Sequence, residues 1–272
     1  MKKIAVYIKE RSLSSDKRYV ALHDSLVSAG CELYEVISRG DLRPGTDCLL
    51  SVGGDGTFLS ASKRVGDSGV PVLGVNLGRL GFLSENSPED VMEPLLSGDY
   101  TVEDRALLHV AGDSVPEDFY PYALNEVSLH RAGAGVLGVE VSVNSEKLPV
   151  YWADGLLVAT SSGSTAYSLS VGGPICTPES RVLIIAPVAP HNLNVRPLIV
   201  PDTAKIDISV ASRDDKVMLS ADNRNFLAGS GLHLSVSMAQ FSLKRIRLNK
   251  SNFVKALTSK LFWGEDVRNS GE

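Results

Sequence analysis

Apolar and polar positions follow two rhythms along this chain. The first hundred residues carry short, wholly apolar runs separated by longer stretches of mixed character. Ile4-Ala5-Val6-Tyr7-Ile8 predicts a buried strand, and residues 16–29 predict a helix closed by Gly30. Residues 32–37 read as a strand, and so does Cys48-Leu49-Leu50-Ser51-Val52, which runs straight into Gly53-Gly54-Asp55-Gly56. A helix over 58–65 and a strand over 71–75 follow. Strands alternating with helices predict a parallel sheet with crossovers.

From about Thr101 the rhythm shortens to period two. Val139-Glu140-Val141-Ser142-Val143-Asn144, Ile206-Asp207-Ile208-Ser209-Val210 and Leu232-His233-Leu234-Ser235-Val236 all alternate. That pattern predicts antiparallel strands with one face buried. Near the end, Phe253, Val254, Leu257, Leu261 and Phe262 have helical spacing. The predicted fold class is an α/β N-terminal domain with a parallel sheet, plus an antiparallel all-β C-terminal domain, with a C-terminal helix returning to the first. The predicted boundaries are 1–100 with 249–272 for the first domain and 101–248 for the second. No internal repeat, low-complexity segment or Pro-rich linker interrupts them.

Composition narrows the function. The 272 residues are 43% hydrophobic and 22% charged, as in ordinary soluble globular chains. With 27 basic against 32 acidic residues the net charge is −5, which gives no general surface for nucleic acid or membrane. The longest apolar stretches, such as 182–188, are too short to span a bilayer. The apolar run near the start is broken by Lys9, so it does not read as a targeting segment. Cys31, Cys48 and Cys176 are widely spaced and odd in number, which fits a reducing, cytoplasmic location.

The chemistry concentrates first in Val52-Gly53-Gly54-Asp55-Gly56-Thr57, where a parallel strand gives way to a helix. Ligands in open α/β sheets bind at such strand ends. Three glycines let backbone approach a phosphate closely, and the helix start offers free N–H groups and a positive dipole end. By chance alone the five residues GGDGT would occur in roughly one such chain in several thousand. Gly-Lys does not occur anywhere, so a Walker-type phosphate loop is excluded.

Gly53-Gly54-Asp55-Gly56-Thr57 resembles the signature of a kinase superfamily that includes NAD kinases, 6-phosphofructokinases and diacylglycerol kinases. Three more segments resemble the NAD kinase family in particular. They are Gly74-Val75-Asn76-Leu77-Gly78-Arg79-Leu80-Gly81-Phe82-Leu83, the pair Asn125-Glu126, and the long run from Asp154 to Pro174 containing Thr160-Ser161-Ser162-Gly163-Ser164-Thr165-Ala166-Tyr167-Ser168-Leu169-Ser170. All four occur in family order, and the similarity extends over residues 4–263.

The resemblance implies phosphoryl transfer from ATP to the 2′-hydroxyl of the adenosine ribose of NAD, giving NADP. It implies that Asp55 accepts the hydroxyl proton, as suits a reaction catalysed mostly by positioning and charge. Gly54 and Gly56 would line the phosphate path. Asn125, Glu126, Asp154, Ser162, Thr165, Ala166, Tyr167, Ser168 and Ser170 would bind substrate. Thr57 and Lys63 are lesser phosphate candidates, because the dipole end lies at the helix start and Lys63 two turns beyond it. A divalent ion, Mg²⁺ carried with ATP, and a homo-oligomer, dimer or tetramer, are also implied. No residue cluster with metal-ligand spacing stands in the sequence. A lipid or sugar kinase sharing GGDGT, or a non-catalytic dinucleotide-binding module, is the alternative.

The chain departs from the family pattern at Ser161, where proline is usual. It also departs at Trp152, where some members carry arginine, and at Asp222-Asn223-Arg224, where Asp-Gly-Gln is common. Gly133-Ala134-Gly135-Val136-Leu137-Gly138 matches G-x-G-x-x-G, but an alternating strand follows it rather than a helix, so it reads as a hairpin turn. The hydroxyl-rich run lacks the G-x-S-x-G elbow of a serine hydrolase. His130 and Arg131 read as solvated groups at a strand end.

Overall fold

In the computed structural model, which describes residues 1–79, 81–249 and 252–264, the chain forms two compact units. One comprises Met1–Asp104 and the described chain from Leu243 onward; the other is Arg105–Ser242.

The chain first forms β1 (Lys3–Ile8), α1 (Lys17–Ser28), β2 (Glu32–Glu35), β3 (Cys48–Val52), α2 (Asp55–Val65), β4 (Val72–Val75), α3 (Met92–Ser97) and β5 (Tyr100–Arg105). It then forms β6 (Leu108–Ala111), β7 (Tyr122–Ala123), β8 (Glu126–Arg131), β9 (Leu137–Val143), β10 (Glu146–Lys147), β11 (Tyr151–Ala153) and β12 (Gly155–Thr160). The short α4 (Tyr167–Ser170) precedes β13 (Val182–Val188), β14 (Leu198–Pro201), β15 (Ile206–Ala211), β16 (Lys216–Ala221), β17 (Arg224–Gly229) and β18 (His233–Met238). Last come β19 (Leu243–Leu248) and α5 (Phe253–Leu261).

The first unit is built on a sheet of order β2-β1-β3-β4-β19-β5, in which β2, β1, β3, β4 and β19 run parallel. Every residue of β3 and β4 is buried, as a strand covered on both faces requires. α1 forms where the sequence predicts it: the Asp16 carboxylate caps the Arg18 N–H at 2.9 Å, and Tyr19, Leu22 and Leu26 turn inward.

The second unit holds two antiparallel sheets, β10-β9-β15-β18-β6-β7 with β11 on β9, and β14-β13-β12-β8-β16-β17. Alternate residues of both sheets share one core, among them Val139, Val141, Ile206, Ile208, Leu234 and Val236 from the first, with Val127, Leu129, Leu156, Val158 and Leu219 from the second. β12 is buried on both faces. Leu156 and Val158 point into that core, while Leu157 and Ala159 join Ile184 and Ala186 in a second cluster covered by Tyr167, Val171 and Cys176.

The fold class is the one predicted, with corrections of detail. β19 was assigned to the β domain through residue 248, yet it pairs with β4, so the chain re-enters the first unit at Leu243. β5 likewise carries that unit past residue 100 to Asp104. The 133–138 segment is not a hairpin turn, because β8 and β9, which flank it, belong to different sheets. It crosses between them, closing on Asp214, whose carboxylate accepts the Gly135 N–H at 3.2 Å. Leu80 and residues 250–251 and 265–272 of the predicted segments lie outside the described residues.

Candidate functional site

In the first unit the glycine turn is built by its neighbours. Gly53 has φ +141°, a conformation that L side chains avoid, and its N–H donates to the Val75 carbonyl at 2.8 Å. This bond ties the end of β3 to the end of β4. Gly54 caps α2, with Thr57 and Phe58 N–H groups on its carbonyl at 2.9 and 3.1 Å. Gly54 and Gly56 are exposed, with open space above both Cα atoms, so the backbone there can be approached closely.

Asp55 opens α2, and its carboxylate does not point freely into solvent. Oδ2 accepts the Phe82 N–H at 2.9 Å, and Oδ1 accepts the N–H groups of Leu83 at 3.0 Å and Ser84 at 2.8 Å. Residues 82–84, at the end of the 74–83 segment and just past it, therefore grip the aspartate of the glycine turn. Thr57 lies in the first turn of α2, beside Gly53. Lys63 is exposed in the last turn of α2, eight residues from Asp55. At 1.5 Å per residue that is about 12 Å, so Lys63 stands at the end of the helix away from the turn.

In the second unit the predicted binding residues gather around the start of β8 and the loop after β12, except Asp154, which precedes β12 and lies at the Arg131 end of β8. Thr160 anchors the loop. Its hydroxyl donates to the Leu124 carbonyl at 2.6 Å and accepts the Gly163 N–H at 3.1 Å, and its own N–H donates to the Asn125 carbonyl at 2.9 Å. Ser164 Oγ accepts the Cys176 N–H at 3.0 Å, holding the far side of the loop. Ser162, Thr165 and Ala166 lie in the tight turn between β12 and α4, and Tyr167, Ser168 and Ser170 in α4 itself. The Tyr167 ring stacks on His130 with centroids 5.5 Å apart, and burial depresses the His130 basicity.

Asn125 and Glu126 are 7% and 8% exposed, and Asn125 Oδ1 and Glu126 Oε2 have no hydrogen-bond partner in the protein. The same holds for the buried hydroxyls of Ser162 and Ser168. Loss of hydration, with the Asp222 charge adding to it, pushes the Glu126 carboxyl up to about 8; a hydrogen bond from the Tyr167 N–H opposes the shift. Asp154 is held by Arg131, with Nε to Oδ1 at 3.0 Å and Nη2 to Oδ2 at 3.2 Å. Arg131 is thus not a merely solvated strand end; it orients a predicted site residue.

Sequence reasoning missed Asp222 as a site residue. It stands in the two-residue hairpin between β16 and β17, with φ +51°. Its carboxylate accepts the N–H groups of Leu124 at 3.0 Å and Asn125 at 2.8 Å, and its own N–H donates to the Glu126 carbonyl at 2.9 Å. The backbone of the Asn-Glu pair is therefore fixed from this hairpin. Asp222-Asn223-Arg224 was visible only as a departure from a pattern. Arg224 in turn donates from Nη2 to the Tyr122 carbonyl at 2.6 Å, bracing the same hairpin.

A parallel α/β unit with a gripped aspartate in a strand-end glycine turn, joined in one chain to an antiparallel β unit with a hydroxyl-rich loop, defines a phosphotransferase of the GGDGT type. Residues 37–97 match the ATP-NAD kinase N-terminal domain and residues 124–248 the ATP-NAD kinase C-terminal domain. An NAD kinase of Porphyromonas gingivalis is 40% identical over 267 residues, covering 97% of this chain and 89% of its own. An NAD kinase of Bacteroides fragilis is 42% identical over 226 residues, covering 82% and 78%. The chain belongs to the NAD kinase family. Among solved structures, an Archaeoglobus fulgidus NAD kinase in complex with ATP matches with TM-score 0.76 and 25% identity, over 92% of this chain and 95% of that one. A yeast NADH kinase complexed with NADH shares the fold with TM-score 0.87 and 22% identity, over 99% and 90%.

Proposed function

We propose that this protein phosphorylates the 2′-hydroxyl of the adenosine ribose of NAD with ATP, giving NADP, and that Asp55 is the general base. The observation that carries the substrate is that four predicted binding residues, Asn125, Glu126, Ser162 and Ser168, each hold a buried polar atom without a protein partner, half of the eight such atoms among the described residues. Buried polar groups are ordinarily satisfied, and leaving one unmade costs about 1–3 kcal/mol. Amide, carboxyl and hydroxyl groups of this kind match the polar edges of a nucleoside and its ribose. The stacked Tyr167 and His130 offer rings to a planar base beside them.

Three of the roughly four lone-pair sites of the Asp55 carboxylate take backbone N–H groups, two on Oδ1 and one on Oδ2. The remaining site on Oδ2 is free to accept the hydroxyl proton as the ribose oxygen attacks the γ-phosphorus. That oxygen bonds to phosphorus as the bond to the β–γ bridging oxygen breaks, and ADP leaves. The open backbone at Gly54 and Gly56, at the positive end of α2, is suited to the donor phosphates. Among the described residues no group of three or more His, Cys, Asp or Glu side chains is placed to hold a metal. Mg²⁺ arriving on ATP as part of the substrate would neutralise phosphate charge there, as phosphoryl transfer requires.

Among the described residues no helix is long and apolar enough to cross a membrane. We infer a cytoplasmic, reducing location from the three widely spaced cysteines of the sequence. We further infer a homo-oligomer, as the family resemblance implies. Incubation with NAD, ATP and Mg²⁺ tests the activity. NADP and ADP should appear in equal amounts, and phosphorylation of a lipid or sugar but not of NAD would overturn the reading.

A further inference from the structure

The 81–84 loop that grips Asp55 is itself gripped, by two cations far along the chain. Its N–H groups at 82, 83 and 84 all donate to the Asp55 carboxylate. Its carbonyls point the other way. Arg245 Nη2 donates to the Phe82 carbonyl at 3.3 Å and the Leu83 carbonyl at 3.4 Å, and Lys260 Nζ donates to the Gly81 carbonyl. Packing is tight enough that a Cβ at Gly81 would fall 2.0 Å from Asp55 Oδ1.

Neither cation is placed cheaply. Arg245 is 4% exposed on β19, beside the buried Ile246, where an unpaired guanidinium would be costly. Glu85 pairs with it through Oε1, and Glu103 Oε2 lies 3.5 Å from its Nη1. Lys260 shares the inward face of α5 with Leu257 and Phe253, one and two turns before it. Phe253 packs on Phe82, with ring centroids 6.3 Å apart, and the Lys260 ammonium sits 5.2 Å from the centre of the Phe82 ring. Burial lowers the Lys260 basicity, while the charges of Glu85 and Asp55 pull it back up.

We propose that Arg245 and Lys260 are positioning residues for Asp55: they hold the 81–84 loop in the one conformation whose three N–H groups aim the carboxylate. The inference rests on the reading of Asp55 as the base. It makes the C-terminal helix part of the catalytic apparatus, through Lys260. Arg245 supplies the buried, rigid half of the clamp and Lys260 the accessible half.

Lys260 is the residue to test, because it is only part-buried and Lys260→Met keeps the packing stem while removing the charge and its donors. The full-length enzyme is assayed for NADP formation, with thermal melts on the same samples. Misplacement of a reacting group by about 1 Å can cost roughly 100-fold. Lys260→Met should lower kcat by about 10- to 100-fold, with KM for NAD and for ATP unchanged and the melt little altered. Lys260→Arg should restore most of kcat. A kcat within about twofold of wild type overturns the inference. So does a rise in KM for ATP at unchanged kcat, which would make Lys260 a donor-phosphate contact. A loss that Lys260→Arg fails to rescue, or that follows a lowered melting temperature, overturns it as well. Asp55→Asn, run alongside, separates the two readings. If it is inactive while Lys260→Met is fully active, only the clamp fails; if it stays active, the base assignment fails.

Discussion

The backbone carbonyl of Asn125 occupies the space that any side chain on residue 163 would need: a Cβ built on Gly163 would fall 2.1 Å from that oxygen. The hydroxyl-rich loop thus lies directly on the backbone of the Asn-Glu pair, and its glycine is there for contact. Because the clash is with backbone, Gly163→Ala must push the loop off Asn125. A cost of about 1–3 kcal/mol is expected, as for other overpacked sites. NAD affinity should fall with it, since Ser162 and Asn125 would separate. Chemical denaturation and calorimetric NAD titration measure the two effects, and an unchanged variant would mean the loop is not seated this way.

Asp55→Asn should lower turnover by ~100–10,000-fold, the usual span of a general base. The hydrogen bonds add a second effect. One carboxylate oxygen becomes an NH₂, which then faces either the Phe82 N–H or the pair from Leu83 and Ser84. Two donors facing each other leave at least one backbone N–H unsatisfied, at about 1–3 kcal/mol. The variant should therefore melt earlier than wild type as well as turn over slowly. Retention of more than a tenth of wild-type kcat would remove Asp55 from the role of base.

The sequence displayed the glycine turn because its function needs unusual residues side by side in the chain. Gly53 at φ +141° and a carboxylate at the first position of α2 leave a compact signature. The hydroxyl-rich loop was legible for the same reason. What holds these pieces was not, since it comes from far away in sequence. Asp222 reaches Leu124 across 98 positions, and Arg245 reaches Phe82 across 163. β19 was misassigned because its short 243–248 run gives no sign of which sheet receives it; the pairing of Arg245 with Val72 decides that.

Glu126 gives the protein a pH dependence of definite sign. Its carboxyl is raised from 4.5 to about 8, first by desolvation and then by Asp222, so between these values the folded protein holds a proton that the unfolded chain has released. Folding takes up that proton, and this contribution to stability falls as pH rises through the window and levels off above it. Glu126→Gln cannot titrate and keeps nearly the same shape. Its melting temperature relative to wild type should therefore climb from pH 5 to pH 8, by more than ~2 °C in total. Taking the difference cancels the opposite contribution from His130, whose basicity burial depresses. A constant difference across that range would place Glu126 in water, not in the buried position described.

Ser161, where the family commonly has proline, allows two opposing effects to be separated. Its φ of −57° is close to the value a proline ring imposes, and Thr160 before it is in a strand, as a residue preceding proline prefers. The reduced freedom of the unfolded chain should contribute ~0.4–1 kcal/mol to stability. The serine hydroxyl, however, donates to the Pro178 carbonyl at 2.9 Å from a site only 2% exposed. Losing that bond costs about 0.5–1.5 kcal/mol. Ser161→Pro should therefore sit near wild type, and the simple gain that the family pattern suggests is offset. Ser161→Ala loses the bond without gaining the ring, so it isolates the cost of the lost bond, and its difference from the proline variant isolates the ring. The proline variant should be more stable than the alanine variant by ~0.4–1 kcal/mol, with NADP formation preserved in both. Thermal melts of the three proteins, with and without NAD, make the comparison. If the proline variant melted below the alanine variant, the ring would not fit the path of the chain between Thr160 and Ser162. The residue-by-residue likeness to the family would then stop at the end of β12.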